Sequence, residues 1–137
     1  MKIIALLVTA ILLSSLMVFA DVVPAIVKKT FDQKFPGAQK EKWELQKNDR
    51  CDASFKWNEK KCLASFTVLG EWLRTETILS YKELPLNIKK SINGKYIAGS
   101  IKGASKIETP QGVSYGVDFK YGYKPEWTQY TENGTEM

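Results

Sequence analysis

The chain has 137 residues, with 20 Lys or Arg against 15 Asp or Glu, a net charge of +5, and no histidine. The missing histidine removes the commonest general base, the Ser-His-Asp and Cys-His arrangements, and histidine-based zinc sites together. Charges are interspersed, as in Lys40-Glu41-Lys42 and Asp49-Arg50, with no basic block of the kind that tracks a phosphate backbone, so nucleic acid is not an expected partner.

At the N-terminus, Lys2 precedes an apolar run, Ile3–Leu13, and the stretch closes on Val18-Phe19-Ala20 with small residues where a signal peptidase reads. This pattern predicts a signal peptide over residues 1–20, cut before Asp21. The rival reading is an uncleaved anchor, since Ile3–Ala20 carries no charge and nearly reaches spanning length. On the first reading the protein is periplasmic or secreted. Residues 21–137 are then one domain's worth of chain, with no further hydrophobic span.

Val23–Phe35 places Val23, Ile26, Val27, Thr30, Phe31 and Phe35 on one helical stripe, and Pro36-Gly37 stops the helix. Alternating runs follow at Glu41–Leu45, Cys51–Trp57, Lys61–Leu69 and Glu71–Leu79, with Asn58–Lys60 as a tight turn and Gly70 as the next. Cys51, Ala53, Phe55 and Trp57 are apolar at alternate positions, as are Cys62, Ala64 and Phe66. One face of an antiparallel sheet should therefore be dry and covered by the helix, the other wet.

A second unit begins at Glu83, with Pro85 at its first helical position. Pro24, Lys28-Lys29 and Phe35 correspond to Pro85, Lys89-Lys90 and Tyr96, all at one offset. At a slightly larger offset, Ala53-Ser54-Phe55, Phe66 and Gly70 correspond to Val117-Asp118-Phe119, Tyr130 and Gly134. The pattern reads as a tandem duplication: residues 21–82 form a first unit, and residues 83–137 a second, shortened one within the same compact domain. Asn93-Gly94 interrupts the second helix and should weaken it.

The residues Val23-Pro24, Lys28-Lys29, Phe31, Phe35-Pro36-Gly37-Ala38 and Trp43 resemble the PepSY-like family of bacterial periplasmic proteins, also described as β-lactamase-inhibitor-like. Phe66, Gly70-Glu71-Trp72, Thr75-Glu76-Thr77 and Glu83-Leu84-Pro85 continue the resemblance. It implies an α+β fold of two units, each a short helical segment packed on one face of an antiparallel sheet. It leaves open whether the strands join into one sheet. The family has no agreed biochemical activity. This chain departs from its pattern at Cys51 and Cys62, where Tyr and Val or similar residues are expected.

Candidate chemistry is thin. Gly112-Val113-Ser114-Tyr115-Gly116 matches the nucleophile-elbow pattern, but an alternating strand follows Ser114 and no histidine exists to activate it. Glu71, Glu76, Glu83, Asp118, Glu126 and Glu132 are scattered over wet positions and turns, and no Asp/Asn run has calcium-loop spacing. No enzyme, metal or cofactor is expected. A hairpin turned at Asn58–Lys60 sets Cys62 opposite Phe55 or Trp57 and leaves Cys51 too far along for a disulfide, so both should be buried free thiols.

Phe31, Phe35, Phe55, Phe66, Phe119 and Tyr130 read as core. Trp57, Tyr121, Tyr123 and Trp127 gather at two hairpin tips, with Lys56, Lys120 and Lys124 beside them. Lys56, Trp57, Tyr121, Tyr123 and Trp127 are therefore the candidate binding residues, against the plainer reading that rings at strand ends only cap a small core. The expected function is a non-catalytic binding module, an inhibitor or regulator that docks a protein or peptide of the cell envelope on the wet sheet face. The alternative is a structural or assembly protein that pairs through exposed strand edges, above all the Gln129–Glu132 edge left by the shortened second unit.

Overall fold

The computed structural model describes residues 22–93, 100–121 and 124–137, with the Tyr121 side chain outside that description. Residues 1–20, expected to be a signal peptide, and Gly94, Tyr96 and Tyr123 therefore lie outside the described residues. Helix α1 (Ala25–Lys34) is followed by β1 (Gln39–Leu45), β2 (Arg50–Trp57), β3 (Lys60–Thr67) and β4 (Trp72–Leu79). A 3-10 turn (Tyr81–Glu83), helix α2 (Leu86–Asn93), β5 (Ile101–Thr109), β6 (Gly112–Tyr121) and β7 (Lys124–Thr131) complete the order. The strands form one antiparallel sheet in the order β1 to β7, so every strand pairs with its neighbours in sequence. The two sets of strands are continuous, joined where β4 pairs with β5.

Both helices cover the same side. Phe31 of α1 and Phe35 at its end pack on Phe55 and Phe66 with Cys51, Ala53, Cys62 and Ala64, and Trp43 packs its ring edge-on to Phe31 at 5.1 Å. Ile88 and Ile92 of α2, with Leu84 just before it, pack on Ala104, Val117, Phe119 and Tyr130. The six aromatic residues read as core are all buried. Cys51 and Cys62 are free and buried, and Cys62 stands opposite Phe55 while Cys51 stands opposite Phe66. Asn58 and Glu59 both take positive φ, 49° and 66°, the two-residue turn whose twist suits a hairpin.

The helices are shorter than the apolar stripes suggest. α1 starts one residue after Pro24, whose carbonyl accepts from Val27 N at 3.0 Å; Pro85 plays the same part for Ile88 N at 3.1 Å. Glu83 opens no α-helix. It accepts from the Ser80 backbone N–H and hydroxyl, closing a capping box on the 3-10 turn, and forms an ion pair with Lys60. Ile26, expected in the core stripe, is 48% exposed because it sits at the margin of α1, against the turn at Gly70.

The turns after β3 and β7 fasten the sheet to the helices in the same way. Gly70 N donates to Thr67 O at 3.0 Å, and Gly134 N to Thr131 O at 2.9 Å. A Cβ on Gly70 would lie 2.8 Å from Ile26 Cγ1 and 3.2 Å from Ile26 O; one on Gly134 would lie 2.8 Å from Ser91 Oγ and 2.9 Å from Asn87 O. Within the helices, Thr30 Oγ1 donates to Ile26 O and Ser91 Oγ to Asn87 O.

Both outer edges are guarded. β1 carries Lys40, Glu41, Lys42 and Glu44 and is broken by an irregularity between Gln39 and Lys42, with Lys40 at φ 55°. The β7 edge, expected to be open at Gln129–Glu132, is met by the chain's own last residues. Thr131 N donates to Thr135 O at 2.7 Å, and Met137 N to Gln129 O at 2.9 Å.

Candidate docking face of the sheet

With the helices on one side, alternation sends every second side chain to the other, where no helix of the described residues packs. Asp52, Ser54 and Lys56 of β2 point there, as do Lys61, Leu63 and Ser65 of β3 and Arg74, Glu76 and Ile78 of β4. In the second half the same face carries Ser105 and Ile107, Ser114 and Gly116, and Trp127 and Gln129. Ile107 is closed off at 3% exposure, whereas Leu63 (46%), Ile78 (44%) and Trp127 (52%) stand open to solvent.

These apolar groups lie on a line across the strands. Ile78 pairs with Ser105 and Ser105 with Gly116. The Trp127 indole rests on Gly116: a Cβ there would come within 2.9 Å of Nε1. The residue that needs a glycine at 116 is thus a tryptophan. Ser114, near the start of β6, accepts a hydrogen bond from Gln129 Nε2 at 2.8 Å; it sits on a regular strand, not on a strand-to-helix elbow.

Charge divides the face. At one end Arg50 grips Asp52, Nε to Oδ1 at 3.0 Å, and Arg74 holds Glu76 at 3.2 Å. At the other, Lys40, Lys42, Lys56 and Lys61 surround a cleft of about 610 Å³ floored by Leu63 and Ile78, with Glu59 as its one acidic lining residue. The buried Phe55 and Cys62 contribute to its base. Among the described residues none of these four lysines is ion-paired; of the acids nearby, Glu41 accepts from Trp43 Nε1 and Glu83 holds Lys60, which leaves Glu59.

The candidate binding residues are therefore not brought together. Lys56 and Trp127 lie on the open face. Trp57 does not: its parity in β2 puts it on the helix side, its ring against Phe35 at 5.2 Å and its Nε1 donating to Pro36 O at 3.0 Å. It braces the end of α1, and five strand steps, about 24 Å, separate β2 from β7 in the sheet order. Tyr121 is placed by its backbone alone, opposite Lys124. Sequence reasoning missed Lys40, Lys42, Lys61, Leu63 and Ile78. Alternation with the apolar positions could have put Lys61 and Leu63 on the wet face, but only the register of β1 through β4 sets all five around one cleft.

No cluster of three or more possible metal ligands occurs among the described residues, and no helix among them is long and apolar enough to cross a membrane. Burial pushes the Cys51 and Cys62 thiols up, Cys51 also through the Asp52 charge and Cys62 against the lowering pull of the Thr77 hydroxyl. They are packing groups on the helix side. The architecture is that of an α+β protein with a sheet covered on one face and open on the other.

Solved structures with this architecture exist. A DUF2874 family protein of Bacteroides ovatus superimposes with a TM-score of 0.77 at 22% identity, covering 86% of each chain. A BLIP-like protein of Bacteroides fragilis gives 0.74 at 21% identity over 85% of this chain and 84% of its own. A Bacteroides eggerthii protein with a provisional periplasmic designation gives 0.78 at 16% identity over 85% and 86%. No protein-family model and no curated protein matches this chain. The chain has a BLIP-like fold.

Proposed function

We propose that this is an exported, non-catalytic module that docks a protein or peptide on the open face of its sheet. The observation that carries the reading is that face itself. Leu63, Ile78 and Trp127 stand half-exposed in a line across a sheet whose other side is fully used by two helices. Exposed apolar groups arranged in a strip, with basic residues beside them, are the usual make-up of a docking surface. Lys56 and Trp127 are its members from the residues first singled out. The periplasmic designation of the B. eggerthii neighbour and the N-terminal signal pattern support export, with cleavage before Asp21. The BLIP-like neighbour supports a protein as the docked partner, by analogy of fold.

Residues 21–82 and 83–137 are, in this reading, two copies of one PepSY-like unit that share the sheet. The support is the matched fastening of Gly70 to Ile26 and Thr30, and of Gly134 to Asn87 and Ser91. The offsets between these pairs are the two seen in the sequence repeat.

Cross-linking the mature protein in its native envelope, followed by mass spectrometry, tests the docking role. Links from Lys56, Lys61 or Lys120 to one foreign protein are expected, and Trp127→Ala should weaken recovery of that protein. Links only between copies of the chain, or recovery unchanged by Trp127→Ala and by Ile78→Ser alike, count against it.

A further inference from the structure

We propose that the lysine-rimmed cleft takes an acidic segment of the partner protein, with carboxylates set around an apolar side chain. This rests on the docking role of the open face and adds the chemistry of what docks there. Lys40, Lys42, Lys56 and Lys61 converge on one cleft although the chain's charges are interspersed along its sequence. Other basic groups of the same face are neutralised within the molecule, Arg50 by Asp52 and Arg74 by Glu76. None of the four lysines is in an ion pair among the described residues, and Glu59 alone offsets them in the cleft lining, so the rim keeps an excess of positive charge that an anion would relieve. A simple phosphate or carboxylate would satisfy the rim and leave the floor bare. Leu63 and Ile78 ask for an apolar group between the anions, and the cleft volume is in the range of sites that enclose one side chain or a short segment.

The occupant is a protein segment and not a bilayer. Membrane-surface binding needs apolar side chains that project past the basic ring into the acyl region. Here the order is reversed: the apolar residues form the floor, over the buried Phe55 and Cys62, and the long lysine side chains form the rim. The line from Ile78 over Ser105 and Gly116 then leads across the sheet to the exposed Trp127 ring for the rest of the segment.

The test is a fluorescence-anisotropy titration of the mature protein with a labelled peptide of repeated Glu-Glu-Leu. Gln-Gln-Leu and Glu-Glu-Ser peptides and vesicles of mixed phosphatidylglycerol and phosphatidylcholine serve as comparators. The wild type should prefer the Glu-Glu-Leu probe to both other peptides, and its affinity should fall about tenfold or more between about 0.05 M and 0.5 M salt. Lys42→Glu with Lys61→Glu should lose a similar factor, and Leu63→Ser should lose the preference for Leu over Ser; these sites are exposed, so the variants keep the core. No binding of the probe, equal binding by the charge-reversed variant, or stronger binding to vesicles than to the peptide overturns the proposal. Envelope cross-linking separates the two claims. A partner captured equally by wild type and the charge-reversed variant leaves the docking role standing and removes the acidic segment. No foreign capture by either removes both.

Discussion

Gly70 and Gly134 sit where the turns of the sheet meet the helices, and each excludes a larger residue twice over. Their φ values, +88° and +87°, are in the left-handed region, and the space a Cβ would take is already filled. The neighbours differ, however. At Gly70 the nearest atom is the end of the Ile26 side chain, which can turn away; at Gly134 the Asn87 backbone carbonyl at 2.9 Å cannot. Gly70→Ala should therefore cost roughly 1–3 kcal/mol from the backbone conformation, and Gly134→Ala clearly more, as read by urea denaturation. The buried thiols give a second expectation. An acid whose pKa is raised by folding stabilises the protein fully below its unfolded pKa, and loses that contribution as pH rises through the folded value. Cys51 and Cys62 should thus make stability fall above about pH 8.5, and the Cys51→Ala, Cys62→Ala double variant should fall less steeply over that range. Ellman's reagent should find neither thiol at neutral pH in the native protein and both in urea. Trp57 shows where residue-level reading stopped. Its alternation with Cys51, Ala53 and Phe55 already placed it on the dry side; its position at a hairpin tip suggested a binding role instead. Trp57→Phe should lose about 1 kcal/mol with the bond to Pro36 and leave docking unchanged.

Among the elements, the strands were the most legible, because strict alternation in Cys51–Trp57 and Lys61–Thr67 fixes a face as well as a type. Helix limits were less so. A hydrophobic stripe says which residues face inward, but Pro24 and Pro85 place the helix starts through their carbonyls, after the first apolar residues have passed. The β7 edge was misread for a different reason. A missing strand leaves an edge only if nothing else covers it, and Thr135–Met137 turn back along it through a turn that local patterning does not reveal. Deletion of Thr135–Met137 should remove two edge hydrogen bonds, lowering stability by roughly 1–2 kcal/mol. Sedimentation should show the shortened chain associating at concentrations where the full chain remains a single small species.

At the scale of the whole molecule, the α+β class and the helix-covered sheet could be read from periodicity, and the continuity of the sheet could not. Backbone pairing between β4 and β5 runs from Thr75 opposite Glu108 to Leu79 opposite Ala104 and leaves no mark in either hydrophobic pattern. The lysine-rimmed cleft was hidden for the same reason: Lys42, Ser54 and Leu63 become neighbours only through two successive strand registers. The strand order itself carries a further consequence, one of timing. Each strand after β1 pairs with the strand before it in the chain, and each helix precedes the strands that it covers. A chain delivered N-terminus first can therefore add structure in the order of its arrival. No early strand must wait, bare, for a distant one, and the longest closure is the one from β4 to β5, which spans a single helix.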